Sequence, residues 1–581
     1  MNGFQAFSVP SPVNAAAAIV AMRMKLQSGD AAGARAIAEP ARRAFPGDAP
    51  LADAAGDLAM KAGDAKAAEA HFAAACAAAP AIIDYAINHA IALQQLGRHA
   101  KVLAVLDRHG AKARLNARLA SVRATSERAL GNLAAAARWY DIALRAEPGR
   151  LRALHGRARV ALERGEDDAV ARFDRALVAS PGDAELWLGK AQALELAGDV
   201  RGARLIAEQL AQQAPGFLGG LTFLAGLRLA AGEPDFTAPF HEAARRAPLD
   251  PNIPASQIET LAGLDLAAEA ADIAAKARRS FPNVAHFALL EAIHAGSSGD
   301  YDRAEAIFAD LVDPRPIRHL HEARHRLRGH DPEAAEALLT RALAADPWDI
   351  SAWALRGIAW RMAGDDRAQW LHEQPGLVQM QPLLARHGLV AEAIAQLRLL
   401  HAASSMPLGQ SLRGGTQTRG ILFHRTEPVL AELHAAITAT LEAYRAGLPQ
   451  RDDTHPLLRH RDTPWQLAGS WSVRLTGGAG AGDYHTAHIH PQGLVSSALY
   501  LVVPKDADDL EARRGWLEIG RPPRDLGLKL DPIAMIGPRE GYLALFPSTL
   551  YHGTTPFGAD EAAAERVTVA FDVVPVTETP E

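Results

Sequence analysis

The sequence predicts a multidomain α+β protein: an N-terminal α-solenoid of helical hairpins, followed by a C-terminal β-barrel or jelly roll. Three observations predict it. Glycines recur at a fixed interval through the first two thirds. Prolines follow them at a fixed offset. After about residue 400 the helical period gives way to alternating apolar and polar residues between Gly/Pro turns.

The periodic glycines are Gly29, Gly63, Gly97, Gly131, Gly165, Gly198 and Gly232, separated by 34, 34, 34, 34, 33 and 34 residues. Prolines 46, 80, 148, 181, 215 and 248 follow 16–17 residues later, and small residues (Ala34, Ala68, Ala136, Ala203) stand five after the glycine. Two helices joined by a Gly turn, the second stopped by Pro, account for this spacing. A single hairpin leaves its apolar stripe uncovered, so neighbours must stack. The register loosens at Gly263, Gly299, Gly329 and Gly364, and about ten to eleven units are expected between residues 15 and 380. The 34-residue pattern resembles the tetratricopeptide repeat, which implies a face for a protein or peptide partner.

Composition narrows the function. The chain has 581 residues, 61 Lys+Arg, 67 Asp+Glu and a net charge of −6, so no basic excess marks it as a general nucleic-acid binder. Its single cysteine, Cys76, excludes a disulfide framework or a multi-cysteine metal site. No apolar run reaches the roughly 18 residues of a membrane span, and Met1–Pro12 lacks a secretory pattern. A cytoplasmic protein with no membrane partner is expected. Within the array, His321-Glu322-Ala323-Arg324-His325 matches the His-Glu-x-x-His zinc pattern. The arginines at 315, 318, 324, 326 and 328 oppose a divalent cation there, and a basic, solvated repeat helix is the preferred reading. His99 and His319 are read in the same way.

The expected division is 1–395 solenoid, 396–464 connecting loop and helix packing on the C-terminal domain, and 465–581 β-domain. Ser404–Gly420 reads as an ordered loop or lid. A helix opens near Pro428, repeats Val429, Leu433, Ile437 and Leu441, and closes at Gly447 and Pro449. Strands are expected through Trp471–Leu475, Val495–Val503, Trp516–Ile519, Ile533–Ile536, Tyr542–Phe546 and Arg566–Val574, with a glycine-rich hinge at Gly477–Gly482. About eight short strands fit between Trp465 and Pro575.

The chemistry-bearing residues lie in this last segment. His488 and His490 stand at i and i+2, and on a strand they share a face and can converge on one metal. His485, odd in register from His488, should face away. His552 follows the Tyr542–Phe546 strand. In the last strand Val567, Val569, Phe571 and Val573 share one face, which leaves Arg566 and Thr568 to point inward. A buried arginine needs an anion. That anion is either a carboxylate-bearing small molecule or Asp572 of the same strand; the alternative is a strand-end arginine in solvent.

The order His488-Ile489-His490-Pro491, Tyr500-Leu501, Gly515, Pro538-x-x-Gly541, Phe546-Pro547-Ser548-Thr549-Leu550-Tyr551-His552 and Arg566-Val567-Thr568 resembles the Fe(II)/2-oxoglutarate-dependent dioxygenases. It most resembles a bacterial group in which the oxygenase follows tetratricopeptide repeats. The stretches Gln410–Gly420 and Gly469–Leu475 are similar to that group as well. The resemblance implies a double-stranded β-helix with His488, His490 and His552 as Fe(II) ligands and catalytic residues. It implies that Arg566, helped by Thr568, pairs with the distal carboxylate of 2-oxoglutarate, and that O2 is co-substrate. His490 then stands where the wider superfamily carries Asp or Glu, leaving the site one charge more positive, and water in that place is the alternative. A cupin-type dioxygenase ranks second, because the Glu it needs after His-x-His is replaced by Leu494 and Val495. The implied activity is hydroxylation of a protein or peptide held by the array. The alternatives are a repeat scaffold with a degenerate barrel and a small-molecule hydroxylase.

Overall fold

The computed structural model describes residues 14–404, 411–476, 483–504, 507, 509–557 and 565–576, without the side chains of 111–113. The N-terminal segment, Gln410 and the glycine-rich hinge therefore lie outside the described residues. The chain divides into two compact units, residues 1–190 and 191–580. Among the described residues no helix is long and apolar enough to cross a membrane.

From Ala15 to His372 twenty-two α-helices form eleven successive hairpins, the upper end of the expected number. The repeating glycines have a shared backbone reason. Gly29, Gly63, Gly97, Gly131, Gly165, Gly198 and Gly232 all take positive φ, between 63° and 86°. Each reverses the chain between two helices in the left-handed conformation that a Cβ disfavours. Where the period loosens, that role moves. Gly263 and Gly329 have ordinary negative φ, and Asp265 (φ 61°) and His330 (φ 58°) supply the left-handed residue instead. Several helices also begin at an Asp or Asn whose side-chain oxygen caps them, as the Asp64 carboxylate accepts from Ala67 N at 2.9 Å.

The aromatic residues of the first unit fix how closely its helices approach. Phe72 and Tyr140 lie against Gly56 and Gly156, where a Cβ would come within 2.5 Å and 2.2 Å of the rings. Cys76 is half-buried in the same unit, and burial pushes its thiol up to about 11, which leaves it a packing residue.

In the second unit the repeat helices end at His372 and a β-domain follows. Its strands are β1 (Gln379–Pro382), β2 (Leu412–Arg413), β3 (Thr416–Gln417), β4 (Trp465–Leu475), β5 (Tyr484–His485), β6 (Val495–Val502), β7 (Leu517–Ile519), β8 (Ala534–Ile536), β9 (Tyr542–Pro547), β10 (His552–Thr554) and β11 (Arg566–Pro575). They form an antiparallel sheet in the order β1-β9-β6-β11-β4-β3, a three-stranded sheet β10-β7-β8 and a pair β2-β5. An apolar layer containing Tyr500, Leu517, Ile519, Phe546 and Leu550 joins the large sheet to the three-stranded one. The α+β architecture is thus as predicted, with eight strands between Trp465 and Pro575 among the described residues.

Two features depart from the sequence expectation. The edge strand β1 lies inside the segment 1–395 assigned to the solenoid, yet it pairs with β9 in the large sheet. The described part of the loop before Gly420, residues 411–420, is not irregular. It folds into β2 and β3 around Gly414 and Gly415, both of positive φ, and pairs with β5 and β4. The outer face of the large sheet is covered by helices Leu389–Ala402 and Pro428–Ala446, whose apolar stripes meet Val567, Val569, Phe571 and Val573. That burial turns the alternate residues of β11 toward the interior of the domain.

The helix carrying His-Glu-x-x-His, Pro316–Arg328, is rich in arginine as read from the sequence, but it is not solvated. Glu322, His325 and Arg328 are buried, and Arg324 and Arg328 reach across to Asp525 of the β-domain. The repeat core also takes in Tyr551 and Leu526.

Gly156→Val drives a branched side chain into the Tyr140 ring and is expected to destabilise the protein by more than about 2 kcal/mol. Adding Tyr140→Ala should recover part of the loss. Thermal unfolding of the full chain measures both, and an unaltered transition in the single variant contradicts the packing.

Candidate metal centre

The site is built where β11, β10 and the chain after β5 meet. A cavity of about 500 Å³ is lined by His485, His488, His490, His552, Arg566 and Asp572, among others, with Trp471, Ala498 and Leu517 as apolar walls. The nitrogens of His488, His490 and His552 lie within 4.8 Å of one another, the only such group of three among the described residues.

The two histidines of His-x-His converge, although not by regular strand alternation. The ladder of β5 stops at His485, and beyond a bend His488 makes a single bridge to His552. Backbone bonds run both ways between these two residues, at 3.0 Å and 2.9 Å. This irregular stretch also defeats the register argument for His485. It lines the cavity, its ring stacks on His488 at 6.1 Å, and Ser411 Oγ bridges the two imidazoles at 3.2 Å and 3.3 Å.

Each of the three converging histidines has its outer nitrogen occupied. His488 Nδ1 donates to the Thr486 carbonyl (2.8 Å), His552 Nδ1 to the Leu550 carbonyl (3.2 Å) and His490 Nδ1 to Asp572 Oδ1 (2.5 Å). A carbonyl or carboxylate accepts only, so this network assigns the proton to Nδ1 in all three rings. The three Nε2 atoms are left turned inward; that of His488 meets Ser411 Oγ at 3.3 Å and stands 3.1 Å from that of His490. At that separation the two ring nitrogens need a proton or a metal cation between them. Burial, reinforced by the neighbouring imidazoles, lowers His488 to about 3 and holds His552 well below the ordinary histidine value. His488 and His552 are therefore neutral near pH 7, which is the ligating form.

Asp572 was weighed in the sequence only as a partner for Arg566. It pairs with His490 instead. It sits two strand positions beyond Ala570 on the face shared with Arg566, and the sequence signal that could have found it is this inward register. Through His490 it returns to the site the negative charge that an imidazole in place of a carboxylate removes.

Arg566 is 3% exposed, its guanidinium stacks over Tyr500 at 5.3 Å, and its Nε and Nη1 hydrogens have no partner. Burial lowers its pKa. An unpaired buried guanidinium is costly, so the cavity holds an unmet demand for an anion. Thr568 is buried on the same strand but is not among the residues lining the cavity.

Comparison with known proteins agrees with these two architectures. Residues 469–572 match the family described as "Putative 2OG-Fe(II) oxygenase", and residues 155–216 match the tetratricopeptide repeat. The chain thus combines tetratricopeptide repeats with a domain of that oxygenase family. No curated protein matches. Among solved structures, a tetratricopeptide repeat protein from Parabacteroides merdae is 20% identical, over 40% of this chain and 92% of that one, with a TM-score of 0.34. The yeast Tom70 is 13% identical, over 61% and 96%, with a TM-score of 0.32. YrrB, titled a TPR protein with an unusual peptide-binding site, is 17% identical, over 30% and 90%, with a TM-score of 0.27.

The family implies Fe(II) and 2-oxoglutarate, and the residues fit both. Three convergent imidazole nitrogens suit a divalent transition metal, and the unpaired guanidinium suits a carboxylate. Asp572→Ala is expected to weaken metal binding about 10- to 100-fold, followed by anaerobic Co(II) titration. Asp572→Asn, which keeps an acceptor for His490 Nδ1, should lose less. Equal affinities in all three proteins would contradict the role given to Asp572.

Proposed function

We propose that the protein is an Fe(II)/2-oxoglutarate-dependent dioxygenase that hydroxylates a protein or peptide. One observation carries this reading: three inward Nε2 lone pairs and an unpaired buried guanidinium share a single cavity. His488, His490 and His552 would hold the metal, and Arg566 would receive the distal carboxylate of the co-substrate. When bound, Fe(II) with 2-oxoglutarate and O2 supplies the oxidation: the keto acid becomes succinate and CO2, and one oxygen atom enters a C–H bond of the target.

The chain's own residues prepare that chemistry. Thr486 O, Leu550 O and Asp572 fix the three rings, so no reorientation is needed on metal entry. Trp471, Ala498 and Leu517 line the cavity with apolar surface, which limits water around the reacting groups. Arg566, stacked on Tyr500, is pre-positioned and already desolvated. Its charge is therefore available to an incoming carboxylate without further dehydration. Thr568 has the weaker claim to that carboxylate, since it does not line the cavity. The peptide reading is supported by the wall of the same cavity, which includes Gly263 and Asp265 from a repeat turn. Asp265 also pairs with Arg413 of β2.

Anaerobic loading with Fe(II) and 2-oxoglutarate, followed by O2, should release succinate even without target. Arg566→Gln should raise the 2-oxoglutarate concentration required by about 30-fold or more, since a buried charged pair is worth roughly 2 kcal/mol or above. Metal stoichiometry should be unchanged. No succinate from the wild type would sink the oxygenase reading, and unchanged co-substrate affinity in the variant would remove Arg566 from it.

A further inference from the structure

A second cavity, of about 590 Å³, adjoins the first. Both are lined by Asp265 and Thr486. One side is repeat array, with His294 and Ser297 from helix Ala285–Ser298 and Arg324 from helix Pro316–Arg328. The other side is the β-domain, with Tyr484, Arg524 and Asp525.

The charges around this cavity do not balance. Arg324 donates to both oxygens of Asp525, at 3.0 Å and 2.6 Å, and to Tyr551 Oη at 2.9 Å. Arg328 donates to the same carboxylate at 2.6 Å. The buried Arg328 and the half-buried Arg324 thus share one carboxylate. Arg524, at the rim, stacks over Tyr484 at 5.3 Å and has no carboxylate partner among the described residues. Asp265 adds no spare negative charge, because Arg413 already pairs with it. The excess cationic field registers on the neighbouring histidines: burial and then Arg328 lower His294 to about 4, and burial and then Arg324 lower His321 to about 3. Neither adds a positive charge near pH 7, so the surplus is two guanidiniums. An uncompensated, partly buried positive charge calls for an anionic occupant.

The surroundings also indicate what kind of anion. The cavity is an elongation of the candidate active site, bounded on one side by repeat helices, so an extended chain fits better than an isolated ion. We propose that the second cavity docks an acidic stretch of the peptide substrate, Asp or Glu side chains flanking the residue presented to the metal centre. The identity of this occupant as substrate rests on the oxygenase reading, whereas its binding does not. The protein's overall charge of −6 disfavours adventitious capture of a polyanion, so a saturable complex reports a local site.

The test uses the full chain without metal or 2-oxoglutarate and fluorescein-labelled hexaglutamate, read by anisotropy. Wild type should bind saturably, more weakly as salt rises. Arg524→Glu, at an exposed rim position, should weaken binding at least tenfold, and Arg524→Gln by less. Labelled hexalysine should not bind. Absence of saturable hexaglutamate binding, or equal affinity in wild type and Arg524→Glu, would overturn the proposal. So would displacement by an equal concentration of inorganic phosphate, which would mark a site for a lone anion. Because iron is absent throughout, a failure here is distinct from a failure of succinate release.

Discussion

Three imidazoles whose outer nitrogens are all committed to acceptors can do only one thing with their inner lone pairs: turn them on one another. That constraint organises the β-domain. The acceptors are two backbone carbonyls, of Thr486 and Leu550, and one carboxylate, Asp572. Each belongs to a different segment, so the ring orientations hold only while the bend after β5, the turn before β10 and strand β11 keep their places. The geometry is preorganised, with two ring nitrogens held 3.1 Å apart where a metal cation can take the place of a shared proton.

The repeat helices of the second unit are part of this support. Tyr551, the residue before His552, packs in the repeat core and accepts from Arg324. His372, at the end of the last repeat helix, bonds Thr549 Oγ1 at 3.1 Å. The strand that carries a candidate metal ligand is thereby fixed from the array side. This also explains the arginines that crowd His-Glu-x-x-His. Arg324 and Arg328 form an ion-pair network with Asp525 that joins helix Pro316–Arg328 to the β-domain, whereas Arg315, Arg318 and Arg326 pair with Asp313, Glu322 and Glu305.

The parts of this picture legible in the sequence are those with local causes. A left-handed turn residue every 34 positions needs glycine, so the array announced itself. The alternation in β11 announced its buried and inward faces, and the three histidines that gather in the structure stand out by residue type and order along the chain. What escaped depends on contacts between distant segments or on irregular backbone. His485 was assigned outward because a strand was assumed to continue, whereas the chain bends after it. Asp572 carried no signal of its partner, which lies 82 residues away. Strand β1, four residues between helices, has no alternation long enough to read, and it exists because β9 leaves an edge to pair. The shift of the turn role from Gly263 to Asp265 shows the same limit. The motif residue remained while the conformation moved two positions along, and that residue now lines both cavities.

The centre of the account is that His490, and not only His488 and His552, belongs to the metal set. X-ray absorption fine structure of the anaerobic Fe(II)-loaded chain measures this directly. The account predicts outer-shell scattering from three imidazoles, falling to two in His490→Ala. Two imidazoles in the wild type, with oxygen ligands making up the remainder, would contradict it.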